Sequence, residues 1–421
     1  MAYGGGAAPP PALGIAIETD TALPITAGVT LPIPVDDNIT AGNEGTSTSG
    51  WSVTSGTISQ SGSTVRHTGS SAIATLNLAG PASNDYVLLI KMAANHVAGQ
   101  FGYLNFRASG PTNVFDIIMG YNYETSAAQL GTISTFDYNS STGNNIATGV
   151  TYSTQQEFAI HIDRNRSCVN LFYREPGTGK WDFRGSYTFN SNYGVLADVR
   201  MVTSAHAGQW VEYDWILYTR PNYLAIGDSI VAGHNFFDPN PSVYAGEDNY
   251  ANTWMKHCLI GQSLRNNLIV NKGIGSQSSA QILARIAEAT AHSARVVFLG
   301  ASTNDEALGI DPNTGAGNRT ENIEDSIATI QASGAACVLL NAMYGTSTST
   351  DNTPTPDLRD YMLDWWDNDR PTLSPQPDLA IDIMQPMLDS GFQRASDSEA
   401  DGVHPDAGGY QLIGEDIATR E

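Results

Sequence analysis

"YLAIGDSIVAG", Tyr223–Gly233, decides the fold of this chain. Four apolar residues run into Gly227, and a serine, Ser229, stands two places beyond it. A short apolar run closed by glycine reads as a strand buried on both faces. A plain turn would need only the glycine. A hydroxyl just past the carboxyl end of such a strand is also where a parallel α/β sheet places its ligands, so the surrounding sequence must say whether such a sheet exists.

Four more apolar runs follow: "NLIVNKG", "ARVVFLG", "ACVLLNAMY" and "DLAIDIM". Between them lie segments of helical period, in which Ile323, Ile327 and Ile330 recur at spacings of four and three, and "SAQILARIAEATAH" sets Ile282 and Ile286 on one stripe. Strand-helix alternation of this kind predicts an α/β fold over residues 221–421, a five-stranded parallel sheet of flavodoxin-like type with helices on both faces.

Upstream, residues 15–220 follow a period of two. "AIATLNLAG" puts Ala74, Leu76 and Leu78 on one face, "EFAIHID" does so with Phe158, Ile160 and Ile162, and "EYDWILYTR" with Tyr213, Trp215 and Leu217. Turn-rich stretches such as "NSSTGNN" and "EPGTGKW" separate the strands, so an all-β antiparallel sandwich is expected here. Residues 1–14, rich in Gly, Ala and Pro, read as a flexible leader. Two domains also suit a length of 421 residues, which exceeds what one core usually organises.

The charge balance, 20 Lys+Arg against 43 Asp+Glu, repels phosphate backbones and anionic lipid, so nucleic acid is not an expected partner. No stretch approaches the ~20 apolar residues of a membrane span. The start "MAYGGGAAPPPALG" lacks the basic and apolar regions of a secretory signal; the expected location is extracellular or virion-associated without such a signal, or the cytoplasm. Cys168, Cys258 and Cys337 are far apart and match no zinc spacing, so buried thiols are expected, with no disulfide, metal or cofactor.

Within the α/β half, three further stretches end strands or open the last helix: "NKGIGSQSS" (residues 271–279), "GASTND" (300–305) and "DGVHPDAGGYQLIGEDIA" (401–418). With Ser229 they should meet on one edge of the sheet. Acyl transfer needs these types. A serine hydroxyl attacks a carbonyl once an imidazole takes its proton, and a carboxylate fixes the imidazole tautomer. His404 and Asp401, three apart, supply that pair, and Pro405 suits the first position of the closing helix. Oxyanion donors are available from the N–H of Ser229, an N–H at Gly275 or Ser276, and the side-chain amide of Asn304. Asp228 and Asp305 read as loop-shaping residues.

Taken in order, Gly227-Asp228-Ser229, the Asn271–Gly275 loop, Asn304-Asp305 and Asp401-x-x-His404-Pro405 resemble the four motif blocks of the SGNH, or GDSL, hydrolases. The resemblance implies Ser229 as nucleophile and first oxyanion donor, Asn304 as third donor, His404 as base and Asp401 as its partner. Two departures stand out. The family has glycine two places before the block-three asparagine, where this chain has Ser302. Its second-block donor glycine falls five residues after the asparagine, a place held here by Ser276, with Gly275 one earlier, so either residue can be the second donor.

The expected activity is that of a serine esterase removing O-acetyl groups from a carbohydrate through an acyl-enzyme. The segment "HNFFDPNPSVYAGEDNY" mixes aromatic and polar residues, as a sugar rim would, and shows no greasy lid. The front half resembles concanavalin-like jelly rolls of glycan-binding modules, and Trp51, Tyr103, Phe106, Tyr121, Tyr123, Trp181 and Trp210 serve there either as core or as sugar platforms. "IAIETDTALPITAG" resembles N-terminal segments of phage tail proteins, which implies a virion-associated enzyme and a homo-oligomer, a trimer in that setting. The competing readings are a glycan-binding tail or adhesin module with an inactive hydrolase fold, and a lipase or thioesterase. A glycosidase would rest on Glu212 and Asp214, two apart on one strand, but that strand offers no third acidic partner and the pair reads as a solvated face.

Overall fold

The computed structural model describes residues 30–77, 86–95, 102–108, 112–119, 133–137, 142–147, 154–163, 168–174, 179–188, 196–203, 207–233, 253–305, 308, 310–341, 364–383, 404–405 and 407–420. The leader expected over residues 1–14 therefore lies outside the described residues.

The front half is an antiparallel β-sandwich. Its strands are β1 (Ile39–Asn43), β2 (Trp51–Ser61), β3 (Thr64–Asn77), β4 (Tyr86–Ala94), β5 (Gly102–Ala108), β6 (Thr112–Met119), β7 (Ile133–Asp137), β8 (Thr142–Ala147), β9 (Gln156–Asp163), β10 (Cys168–Arg174), β11 (Trp181–Thr188), β12 (Leu196–Thr203) and β13 (Trp210–Thr219). They hydrogen-bond in the order β11-β10-β9-β4-β13-β3-β12-β5-β6-β7-β8, with β1 added on β13 and β2 on β3. The path folds over until β8 lies against β10 and β11. Phe158, Ile160 and Ile162 share the sandwich core with Leu88, Ile90, Ala74 and Leu76, as period two requires; Leu78 lies outside the described residues.

The expectation for β13 needs correction. Tyr213 points into the sandwich core, but Trp215 and Leu217 point to the opposite face. Between them the pairing with β4 slips: Tyr213 opposes Met92 and Trp215 opposes Lys91, leaving Asp214 as an extra residue. One inserted residue inverts every side chain that follows, and no period-two count can see it.

The back half is the expected parallel sheet. Its strands β14 (Tyr223–Gly227), β15 (Ile269–Gly273), β16 (Val296–Gly300), β17 (Ala336–Leu340) and β18 (Leu379–Ile381) stand in the order β15-β14-β16-β17-β18, every neighbour parallel. The described helices are α1 (Ser229–Ala232), α2 (Ser279–Ala284), α3 (Ala287–Ala291), α4 (Arg319–Ala332) and α5 (Ala407–Ala418). The order reverses between β15 and β16 on either side of β14, so the crevice falls at the end of β14. Ile323, Ile327 and Ile330 are buried on α4 as the spacing predicts. The stripe through Ile282 and Ile286 is buried too, but it spans two short helices, because Arg285 leaves helical geometry at φ −115° and ψ 13°.

The two halves share one core. The face of the sandwich turned away from its own interior carries Val87, Leu89, Ala159, Phe172, Trp215 and Leu217, and these pack in one cluster with Leu224, Ile226, Trp254 and Ile269 of the α/β half. This explains why β4, "YVLLIKMAA", is apolar on both faces. Polar clamps border the contact: Trp181 Nε1 donates to Asn267 Oδ1 at 2.8 Å, and Arg174 Nη1 to the carbonyls of Leu264 and Arg265 at 3.3 and 3.2 Å. Residues 30–38, ahead of the first sandwich strand, also bind the α/β half. The Leu31 N–H donates to the Arg420 carbonyl at 2.6 Å, Arg265 Nε and the Asn266 N–H donate to the Asp37 carboxylate at 2.8 and 3.0 Å, and Asn38 Nδ2 donates to the Ser293 carbonyl at 3.1 Å. Cys258 and Cys337 are buried thiols outside any disulfide; the side chain of Cys168 lies outside the described residues.

A shared core predicts shared unfolding. Leu89→Ala should cost roughly 2–5 kcal/mol, read as a shifted midpoint in urea followed by far-UV circular dichroism and tryptophan emission. Both probes should report one coincident transition, whereas two separated transitions would mean that the halves unfold independently.

Candidate active site

The site is built on close approach. β14, β15 and β16 each end in glycine, and α1 rests on those ends. A methyl group added at Gly227 would come within 2.5 Å of Val231 Cγ2, and one at Gly300 within 2.8 Å of the same atom. At Gly273 it would overlap the backbone nitrogen of Ala232. Only glycine lets the helix bearing Ser229 sit this low. Asn271 then ties strand to helix, its Nδ2 donating to the Ala232 carbonyl at 3.3 Å and its Oδ1 accepting from the Gly273 N–H at 2.9 Å. Gly233 closes α1 in the left-handed region at φ 79°.

Asp228 and Asp305 are the joints of this edge. Asp228 caps α1, Oδ1 accepting from the Ile230 N–H at 3.0 Å, while Oδ2 accepts from the Thr303 N–H at 2.7 Å. One carboxylate thus binds the serine's helix to the loop that follows β16. Asp305 accepts from the Ser279 N–H at 2.7 Å and ion-pairs with Arg319 at 3.2 Å. Burial raises its carboxyl above the usual carboxylate range, against the pull of the Arg319 charge.

Ser302, where the family has glycine, accepts the Asn304 N–H at 3.0 Å and donates to the Gln277 carbonyl at 2.7 Å. That carbonyl also accepts Asn304 Nδ2 at 3.0 Å, and Asp228 Oδ2 lies 3.4 Å from the same nitrogen. The hydroxyl therefore adds a tie between the two loops that a glycine could not make.

The loop after β15 is fixed at both ends. The Ile274 N–H is bonded to the Gly227 carbonyl at 3.0 Å, and Ser278 caps α2 in a reciprocal capping box with Gln281. Between them Ser276 holds a positive φ of 62°, a conformation that costs a non-glycine residue about 1 kcal/mol or more. Gly275 lies beside the serine: a methyl group there would sit 3.9 Å from Ser229 Cβ and meet nothing closer. Of the two residues left open by sequence, Gly275 is thus placed against Ser229.

His404 Nε2 lies 2.7 Å from Ser229 Oγ, across 175 positions of sequence. Ser229 is 6% exposed, and His404 is half-buried just ahead of α5. Pro405 stands two places before that helix rather than at its first position. Asp401 lies outside the described residues, as does the aromatic stretch from residue 234 to 252. The structure brings together Ser229, Gly275, Asn304 and His404. Among the described residues no three His, Cys, Asp or Glu side chains are grouped so as to hold a metal.

Two arginines escaped the sequence reading. Arg319 Nη2 and Nη1 donate to the carbonyls of Ala301 and Ser302 at 2.7 and 2.8 Å, with the guanidinium 4.5 Å from the Trp365 ring centre. Arg285 Nη2 and Nη1 donate to the carbonyls of Gly227 and Lys272 at 2.8 and 2.6 Å, and its Nε to Gln277 Oε1. Both gather the carbonyl ends of strands. Their signal was legible: Arg319 lies four before Ile323 and Arg285 three after Ile282, each on an apolar stripe where a charge must have partners.

In the sandwich, Glu212 accepts from Arg66 Nε at 2.7 Å and Gln155 Nε2 at 3.0 Å, while Asp214 pairs with Lys91 at 3.1 Å, so both carboxylates are engaged. Most of the described aromatics pack. Phe106 and Trp181 are buried, Trp51 Nε1 donates to Tyr213 Oη at 2.8 Å, and Arg66 lies 4.1 Å over the Trp210 ring. Tyr103 is half-buried, and Tyr121 and Tyr123 lie outside the described residues.

Residues 225–412 match the model of the GDSL-like lipase/acylhydrolase family. That match supports hydrolysis of acyl esters. Similar solved structures include TesA, at 19% identity over 47% of this chain and 96% of that one with a TM-score of 0.34. A GDSL-like lipase from Bacteroides thetaiotaomicron aligns at 19% identity over 47% and 87% with a TM-score of 0.32. A Bacillus licheniformis beta-glucanase aligns at 11% identity over 43% and 98% with a TM-score of 0.33. No curated protein matches the chain. No described helix is long and apolar enough to cross a membrane.

The glycine seat yields a paired prediction. Gly273→Ala should destabilise by about 1–3 kcal/mol or prevent folding, because the new methyl meets backbone. Gly275→Ala should leave the melting temperature within a degree or two of wild type. Thermal scans of both variants measure the contrast.

Proposed function

We propose that the α/β half is a serine esterase acting on O-acetylated carbohydrate, with Ser229 as nucleophile, His404 as base and Asp401 as the partner of His404. The observation that carries the reading is the 2.7 Å contact between His404 Nε2 and Ser229 Oγ at the strand edge. In the first step Oγ bonds to the acyl carbon while its proton passes to Nε2, and the carbonyl oxygen becomes an oxyanion. Three donors are available to that oxyanion. Ser229 is the first residue of α1, so its N–H has no partner within the helix. Gly275 offers a backbone N–H beside it. Asn304 Nδ2 keeps one proton on the Gln277 carbonyl, and its other proton makes only the long contact with Asp228, which an oxyanion would displace.

Collapse of the intermediate breaks the bond to the sugar oxygen, which leaves with the proton from His404. Water then attacks the acyl-enzyme by the same route in reverse, freeing acetate and restoring Ser229. Asp401 steadies the imidazolium in both halves of the cycle.

The carbohydrate assignment rests on the aromatic and polar stretch after α1 and on the sandwich domain joined to the esterase. An acetylated surface glycan is met outside the cell, so an extracellular or virion-associated place goes with this substrate.

Ser229→Ala should lower acetate release from acetylated xylan by on the order of 10⁴-fold or more, with an unchanged circular dichroism spectrum. Turnover at the wild-type rate in that variant would remove the nucleophile assignment. On p-nitrophenyl esters the acetate should be preferred; a preference for acyl chains beyond about eight carbons would favour a lipase or thioesterase instead. A wild-type protein that binds glycan yet cleaves no ester would favour the binding module.

A further inference from the structure

Lys272 is one residue from the end of β15, on the strand that feeds the loop beside Ser229. It pairs with Asp163, the last residue of β9 in the other domain, and both side chains are 0% exposed. Asp163 shares parity with Ala159, so it lies on the sandwich face that packs against the α/β half. Two charges removed from water are a costly way to join surfaces that already share an apolar core, and replacing such a pair with apolar residues often stabilises a fold. A role beyond adhesion is therefore to be sought in what the lysine holds.

From Lys272 direct contacts lead to the proposed oxyanion donors. The Lys272 carbonyl accepts Arg285 Nη1 at 2.6 Å, and Arg285 Nη2 bonds the Gly227 carbonyl at 2.8 Å, two residues before Ser229. Arg285 Nε bonds the Gln277 side chain, and the Gln277 carbonyl holds Asn304 Nδ2 at 3.0 Å. The links between residues are hydrogen bonds or an ion pair, and within Lys272 and Gln277 the path runs along the residue itself, Gln277 lying in the same loop as Gly275.

We propose that Asp163, although it belongs to the sandwich, is a positioning residue for ester hydrolysis: through Lys272 and Arg285 it fixes the loop that presents the Gly275 N–H and holds Asn304. The inference rests on the esterase reading above. It makes the sandwich a working part of the hydrolase, whatever else that domain binds. A small misplacement of a donor costs rate far more than it costs substrate binding.

The test uses the full chain. Asp163→Asn keeps the shape of the side chain and removes its charge. Sites competent to react are counted by labelling Ser229 with a fluorophosphonate, and turnover of p-nitrophenyl acetate is expressed per labelled site. The expected result is a fall in kcat per site of about ten- to hundredfold, with KM within about twofold of wild type. A purely structural role would lower the melting temperature and the labelled fraction but leave kcat per site unchanged, and that outcome overturns the proposal. Should Asp163→Asn fold poorly, the double variant Asp163→Leu, Lys272→Met replaces the pair with apolar groups; a wild-type kcat per site there overturns the proposal equally. Failure of the esterase reading looks different: wild type inert to esters, or Ser229→Ala fully active, whatever Asp163→Asn does.

Discussion

The absence of three side chains at one edge of the parallel sheet is the constraint from which the site follows. Gly227, Gly273 and Gly300 let a four-residue helix lie directly on the ends of β14, β15 and β16. At that depth Asp228 reaches the Thr303 N–H, Asn271 reaches the end of α1, and Gly275 comes up beside Ser229. Raise the helix by the thickness of a methyl group and each of these contacts is lost together. The chemistry is held less by the reactive residues than by the room left beneath them.

Around this seat the polar groups are arranged to hold backbone. Asp228 and Asp305 accept N–H groups from loops that follow different strands, while Arg285 and Arg319 donate to the carbonyls at strand ends. Buried carboxylates and guanidinium groups are thus spent on main-chain partners as well as on one another, as buried charge requires. A loop held in this way can keep a donor aimed before substrate arrives, which is where electrostatic stabilisation gains its effect. Ser302 shows that the arrangement admits variation: a hydroxyl in place of the family's glycine is absorbed by two further hydrogen bonds.

Much of this was readable beforehand, and the failures have physical causes. The five parallel strands, their order along the chain and the meeting of Ser229 with His404 follow from short apolar runs that each stop at a polar or glycine loop. Period counting failed at β13, where the extra residue Asp214 reverses the faces, and in the segment after β15, where Arg285 leaves the helix to grip two strand ends. The union of the two halves was hidden for another reason. β4 is apolar at nearly every position, and a run with no alternation says that both faces are covered without naming what covers the second. The binding of residues 30–38 to the α/β half left no pattern at all, since its hydrogen bonds use backbone groups and a few Asp and Asn side chains common to any loop.

That last contact has a directional consequence. Residues 36–38 bond to groups that lie ahead of β14, β15 and β16, and Leu31 meets the end of α5, so the entering chain arrives at the base of the sheet while Ser229 stands at its summit. A load drawn through residue 30 is borne by the base. The edge that carries Ser229, at the other end of the strands, would be spared that load.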